Sequence, residues 1–386
     1  MTQPDAALAP VPFNRPTRTA RDLEYLGASL ASGKLSGDGP YTRRCQDLLQ
    51  SVLGVPRALL TTSCTDALEM AAILSGVGPG DEVIVPTYTF VSSINAFVLR
   101  GARPVFADIR ADTLGLDERA LDALITPRTK AIVVVHYAGV PCDMEAVGRA
   151  ASRAGAMVIE DNAHGLFGRW RGRLLGTLGA LATLSFHDTK NLTCGEGGAL
   201  LINDPALVER AEIVREKGTD RTKFLRGQID KYGWVDLGSS FLPSDLLAAM
   251  LLAQLEERES IQARRARLWR RYAASLGEWA VGVGVQLPGV PEGCEPSFHM
   301  FNVIVPSIAF RDALFAHLAQ LGVQAVSHYI PLHLSPMGAV FGGRPGLCPV
   351  AERVNELIVR LPFFTNMTDE EQDRVIAGVT RFSSEG

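Results

Sequence analysis

What the chain lacks narrows its function first. It has no surplus of basic charge: 38 Lys and Arg stand against 42 Asp and Glu, a formal net charge of -4, so it has no electrostatic footprint for nucleic acid. The six cysteines (Cys45, Cys64, Cys142, Cys194, Cys294 and Cys348) contain no Cys-x-x-Cys pair, and the seven histidines show no metal-ligand spacing. Both absences argue against a disulfide scaffold or a zinc site, and no metal is expected. No apolar run approaches the roughly 18 residues that a bilayer span requires. Residues 1–10 carry one acid and no base, unlike the start of a signal peptide. A cytoplasmic protein with no membrane partner is expected. No Gly-x-Gly-x-x-Gly follows the first strand, which argues against a dinucleotide oxidoreductase. Internal repeats and low-complexity linkers are missing too.

What is present is an ordinary globular composition, 47% hydrophobic and 21% charged over 386 residues, enough for two or three domains. Residues 1–11 read as a loose tail. Beyond them, short apolar runs at 58–60, 82–86, 104–107, 131–135, 157–161, 181–186 and 198–202 read as strands. Amphipathic stretches at 20–31, 41–53, 66–74, 92–100, 118–125, 144–154 and 205–217 read as helices. Such alternation predicts a largely parallel, doubly wound α/β sheet with its sites at the strands' carboxyl ends. Residues 244–257 form a strongly apolar helix, and an arginine-rich helix over 261–276 leads to a smaller α+β unit. That unit is read as strand 299–305, helix 311–321, strand 323–326 and helix 368–382. The predicted domains are 12–264 and 265–386.

The chain is organised around Ser185-Phe186-His187-Asp188-Thr189-Lys190-Asn191, followed by Cys194-Gly195-Glu196-Gly197-Gly198. A lysine beside a glycine-rich loop is most often a solvated charge. Here, however, it follows an apolar strand, where a buried amine can form a Schiff base with a carbonyl cofactor. Upstream, Met157-Val158-Ile159-Glu160-Asp161-Asn162-Ala163-His164-Gly165 delivers an acid at another strand's end. Asp161 suits the carboxylate that keeps the pyridinium of pyridoxal phosphate protonated, which makes the ring an electron sink. Thr61-Thr62-Ser63-Cys64-Thr65 lies between a strand and a helix, where free N–H groups and the helix dipole receive a phosphate; an N-cap by Ser63 or Thr65 is the plainer reading. Tyr88, at a strand end, could stack on a flat heterocycle or simply be a core aromatic. Gly37-Asp38-Gly39-Pro40 is a turn. The polar run 218–238, with Arg221, Lys223, Arg226, Lys231, Tyr232 and Trp234, is either a solvated loop or a lid that meets a nucleotide-sugar, since arginine suits diphosphate and aromatics suit a base.

Through these motifs the chain resembles the DegT/DnrJ/EryC1/StrS family of sugar aminotransferases, fold-type I pyridoxal-phosphate enzymes. The family's mark is a strand ending in Glu-Asp-x-Ala-(Gln or His)-Gly and a later Ser-Phe-x-x-x-Lys. The resemblance runs from Pro12 to about Phe382. Within the family it is similar to the transaminases that make dTDP-4-amino-4,6-dideoxygalactose, through Ser32-Gly33-Lys34-Leu35-Ser36-Gly37-Asp38-Gly39, His187 to Asn191 and His328-Tyr329-Ile330-Pro331-Leu332-His333.

The resemblance implies pyridoxal 5'-phosphate as cofactor, passing through pyridoxamine 5'-phosphate. Lys190 would be anchor and acid/base, Asp161 the partner of the ring nitrogen and His164 a neighbour of the phenolic oxygen. Ser63, Cys64, Thr65 and Ser185 would hold the phosphate, with Tyr88 on the ring. Asp38, Arg226, Tyr232, His328, Tyr329 and His333 become candidates for substrate binding. Where many members carry Asn-Tyr-Arg this chain has Ser240-Phe241-Leu242, so Ser240 would have to replace an asparagine that reaches the neighbouring subunit's phosphate. The expected reaction converts a nucleotide-linked 4-keto-6-deoxyhexose, dTDP-4-keto-6-deoxyglucose, to its 4-amino sugar with L-glutamate as donor, in a homodimer or higher oligomer. The alternatives are amination at C3 of a dTDP-3-keto-6-deoxyhexose and a non-catalytic, ligand-sensing homologue. Lys190 itself argues against the related 3-dehydratases, which have histidine there.

Overall fold

The computed structural model describes residues 9–383. Its central sheet has seven strands in the order Arg57–Thr61, Gly198–Ile202, Leu181–Ser185, Met157–Asp161, Thr129–Val135, Glu82–Pro86 and Arg103–Ala107. Gly198–Ile202 runs antiparallel to both its neighbours, and every other pair is parallel. The near-continuous apolar runs of these strands follow from their burial on both faces. Ile159, Val133, Val83 and Val85 pack on one side, and Ile84, Ile132 and Val134 on the other. The chain therefore delivers residues 61–65, 87–90, 136–139, 161–164 and 185–190 to a single edge, as expected for an open α/β sheet.

Helix Asp245–Glu256 packs on helices Asp22–Ser32 and Pro40–Leu53. Helix Arg258–Val283 then leads away from the sheet. Its early residue Ile261 belongs to the apolar cluster of Leu251 and Leu255, whereas Leu268, Tyr272 and Leu276 belong to a second cluster with Phe301, Val303 and Val359. That second cluster is built on an antiparallel pair, Phe301–Ile304 with Ile358–Leu361, covered by helices Ile308–Gln320 and Asp369–Thr380.

Several expected elements differ. Residues 9–11 are not loose: Val11 is fully buried and bridges Val323, while residues 1–8 of the predicted tail lie outside the described residues. The strand predicted at 323–326 is only two isolated bridges, Val323 to Val11 and Val326 to Arg360. The strand predicted from 299 starts at Phe301, because Phe298 has φ of 54° and the carbonyls of 297–299 bond to side chains instead of a neighbouring strand. The helix predicted at 118–125 is a 3-10 turn, Glu118–Ala120, followed by one α turn. The helix predicted to start at Asp66 starts at Cys64, because Ser63 is its N-cap.

Candidate active site

Lys190 projects from the loop that follows Leu181–Ser185. The loop is pinned by Phe186 N–H to the Gly197 carbonyl at 2.8 Å and Cys194 N–H to the Phe186 carbonyl at 3.0 Å. Burial pulls the Lys190 amine down to about 8, and the nearby Cys64 and Asp161 offset only part of that effect. Asp161 ends the adjacent parallel strand. Its carboxylate accepts from Ser93 Oγ at 2.6 Å and from Ala163 N–H at 3.2 Å. Burial raises its pKa, and these two bonds oppose the rise. Ser93 Oγ also bonds Thr89 Oγ1 at 2.8 Å, tying the turn after Tyr88 to Asp161.

The phosphate-type turn stands beside Ser185. In the register Gly198 is opposite both Thr61 and Ser185. A Cβ on Gly198 would lie 2.4 Å from the Ser63 carbonyl carbon and 2.5 Å from Cys64 N, so only glycine lets this turn approach the strand. Ser63 Oγ accepts from Asp66 N–H at 3.0 Å, so the hydroxyl is an N-cap. Cys64 and Thr65 are the first helical residues, at the positive end of an eleven-residue helix. Burial raises the Cys64 thiol to about 12, which keeps it neutral beside Lys190.

An aromatic and imidazole wall faces these groups. Tyr88 is fully buried, 5.2 Å from Tyr137 and 6.0 Å from Tyr329 between ring centroids, so it packs as a core aromatic. His164 stacks on His299 at 4.3 Å and 19°. Its Nδ1 is buried without a protein partner, and burial holds the ring well below the usual histidine range, hence neutral. His299 Nδ1 bonds Asn191 Oδ1 at 2.9 Å, and Asn191 Nδ2 donates to the Ser297 carbonyl at 2.9 Å. The residue after Lys190 thus orients the ring on which His164 rests. Behind Asp161, buried Glu160 takes the N–H groups of Gly176, Leu178 and Gly179 and bonds His136 Nε2 at 2.9 Å. Cys142 N–H donates to His136 Nδ1, so that ring keeps its proton on Nε2, facing Glu160.

The expected substrate residues divide. His328 and Tyr329 join the wall: His328 lies 3.5 Å from the Tyr329 ring and its Nδ1 is 2.6 Å from Tyr137 Oη. Burial, with Arg360 and Lys190 nearby, brings His328 down to about 2 and keeps it neutral. His333, expected to meet substrate, is instead interior. Both ring nitrogens are engaged, by Thr87 Oγ1 at 2.7 Å and Glu352 at 2.9 Å, because the chain turns inward after Pro331. Asp38 pairs with buried Arg215. Arg226 is bidentate on Glu212 at 2.8 and 2.9 Å. Tyr232 is half exposed and packs on Phe224. Ser240 is exposed, next to Phe241, whose carbonyl receives Thr62 N–H at 3.1 Å.

The sequence reading missed Ser93, Asn191, His299, Arg265 and Arg360. Arg265 is buried in the helix read as the arginine-rich link between the two domains, with its guanidinium on the carbonyls of Phe298 and His299 and on Thr365 Oγ1. Burial lowers it to about 9. Asn191 adjoins Lys190 in sequence and could have been suspected; the others had no local signal.

The model of the DegT/DnrJ/EryC1/StrS aminotransferase family matches residues 16–380. The chain is 31% identical over 377 residues to the spore coat polysaccharide biosynthesis protein SpsC of Bacillus subtilis, covering 96% of each. Among solved structures, the aminotransferase TlmJ from Streptoalloteichus hindustanus matches at 32% identity and a TM-score of 0.88, over 96% of this chain and 98% of that one. The putative sugar aminotransferase Spr1654 from Streptococcus pneumoniae, in its PLP form, matches at 28% and 0.88 with the same coverage. No helix among the described residues is long and apolar enough to cross a membrane.

Proposed function

The chain belongs to the DegT/DnrJ/EryC1/StrS aminotransferase family and is a pyridoxal-phosphate enzyme, and from that premise we propose that it aminates a nucleotide-linked 4-keto-6-deoxyhexose, dTDP-4-keto-6-deoxyglucose, with L-glutamate as donor. One observation carries the reading: a half-buried lysine, its amine desolvated and brought down to about 8, stands beside a buried carboxylate on the next strand and a glycine-dependent turn at a helix N-terminus.

The residues present fit the cofactor. Its phosphate suits the N–H groups of Cys64 and Thr65 with Ser185 alongside, its ring nitrogen suits Asp161, and the unpartnered Nδ1 of His164 is available for a ring substituent. When bound, the cofactor supplies an aldehyde carbon for the incoming amine and a ring that accepts electrons. Lys190 attaches through an amine that is partly neutral near pH 8. Once displaced, it carries a proton at Nζ between the donor's α-carbon and the cofactor. Asp161 keeps a proton on the ring nitrogen, and the bonds from Ser93 and Ala163 favour its ionised form, opposing the burial that raises its pKa. His164, neutral and fixed by the His299 stack, offers hydrogen bonding without a competing charge. His328 and Tyr329 line the side on which a sugar would enter.

We further propose the domain division within helix Arg258–Val283, near residue 264, where the apolar contacts change cluster. A cytoplasmic location agrees with six free thiols. A homodimer with shared sites would cover the exposed apolar groups of residues 221–238, among them Leu225 and Trp234. The decisive experiment is incubation with L-glutamate and dTDP-4-keto-6-deoxyglucose, with NMR of the product. An amine on C4 supports the reading; no product with this ketone, or amination only when a dTDP-3-keto-6-deoxyhexose is supplied instead, overturns it.

A further inference from the structure

Arg360 stands at the third position of the strand Ile358–Leu361, directly opposite Asn302. Alternation sends Val359 and Leu361, with Phe301 and Val303, into the C-terminal core. Arg360 and Asn302 therefore share the other face. On its second edge the Arg360 backbone pairs with Val326, two residues before His328, at 2.8 and 3.1 Å. The guanidinium lies over the Phe13 ring, with Cζ 4.5 Å from its centroid, and Nε is buried with no hydrogen-bond partner. Among the described residues no carboxylate lies within ion-pair distance of it. The titratable groups close enough to sense its charge are Tyr88, Tyr137, Tyr329, His164, His299, His328 and Lys190, all phenols or bases.

A largely buried arginine with no acid beside it is costly to keep, and a ligand anion removes that cost. We propose that Arg360 binds a carboxylate of the amino-acid donor, with Asn302 on the same face. The inference rests on the amino-donor half of the function proposed above. A sugar nucleotide also carries an anion, its diphosphate. That group is separated from the reacting ketone carbon by the breadth of the hexose, whereas an amino acid bears a carboxylate one bond from the carbon whose proton Lys190 moves. The arginine's nearness to Lys190 therefore favours the donor.

The test uses the cofactor-loaded enzyme with Arg360→Gln and Arg360→Lys. Calorimetric titration with glutarate, a dicarboxylate that cannot react, should show affinity falling by at least about 30-fold in Arg360→Gln, the scale for removing one partner of a buried charge pair. Arg360→Lys should fall between, keeping charge but not the planar fork. KM for L-glutamate should rise in parallel while KM for the nucleotide sugar is unchanged. Unchanged glutarate affinity in both folded variants overturns the inference, as does a rise confined to the nucleotide-sugar KM, which would assign Arg360 to the diphosphate. If Arg360→Gln does not fold, Arg360→Lys alone decides, since a purely structural role predicts no change in glutarate affinity. Wild-type enzyme that accepts no L-glutamate would instead refute the donor half of the proposed function.

Discussion

The loop around Lys190 and the segment 218–238 are both polar stretches after a strand or helix, yet they are satisfied in opposite ways. Around Lys190 the partners lie within the chain's interior: Asp161 on Ser93 and Ala163, Asn191 on His299 and Ser297, Thr193 on Gln254. In the second segment the charges pair locally, Arg226 on Glu212 and Arg210 on Asp236, while large apolar side chains face outward: Trp234 is 80% exposed and Leu225 64%. The first region finds these partners within one chain. The second leaves large apolar side chains facing solvent.

The comparison breaks most visibly at Lys190. Lys190→Ala should fold normally and lose at least about 10⁴-fold in transamination, the upper range for losing a general acid/base that is also the covalent anchor. Borohydride should attach cofactor to wild type but not to the variant, as mass spectrometry of peptides would read. Labelling of another lysine would displace Lys190 from its role.

Next in size is a test of the outer region. If the site is shared, Lys190→Ala mixed with a chain crippled at Trp234→Ala forms heterodimers in which one of two sites is whole. Equal random mixing gives about half heterodimers, hence about a quarter of wild-type activity from two inactive parents. No recovery after co-refolding, or an active monomer in sedimentation, makes both regions parts of a self-sufficient chain.

A pH measurement sharpens the inner region. Burial depresses Lys190 to about 8, so its neutral, reactive form appears as pH rises through about 8, not through the ordinary lysine range. The rate at which apoprotein captures pyridoxal phosphate, followed by absorbance, should rise across that window. Arg360 also lowers Lys190, so Arg360→Gln should move the midpoint upward. A midpoint above 10 in wild type would mean that the amine is solvated.

The smallest effect is expected at Arg226. It is about half exposed, and Glu212 keeps Arg57 at 3.0 Å when it is gone. Arg226→Ala should cost under about 1 kcal/mol of stability in thermal unfolding, as exposed ion pairs do, and leave KM for the nucleotide sugar unchanged within its own chain's site. A large rise in that KM would restore Arg226 to the substrate residues, with Glu212 as its resting partner.

The amino-acid order alone determined the alternation of strands and helices, and with it the strand ends carrying Ser63, Tyr88, Asp161 and Lys190. These signals are local: an apolar run, then a polar or glycine-rich break. The sequence misread His333, because six consecutive residues, His328 to His333, looked like one functional run, whereas the turn after Pro331 sends the last of them inward to Thr87 and Glu352. Only the tertiary structure could decide the stack of His299 on His164, the anchoring of Asp161 by Ser93, and the isolation of Arg360. Each depends on residues 68 to more than 160 positions apart meeting at the sheet edge. The burial of a charge, and whether an acid lies beside it, is a property of that meeting: it depends on which side chains the whole fold brings near and how much water it excludes, and neither is written in the residue's own neighbourhood.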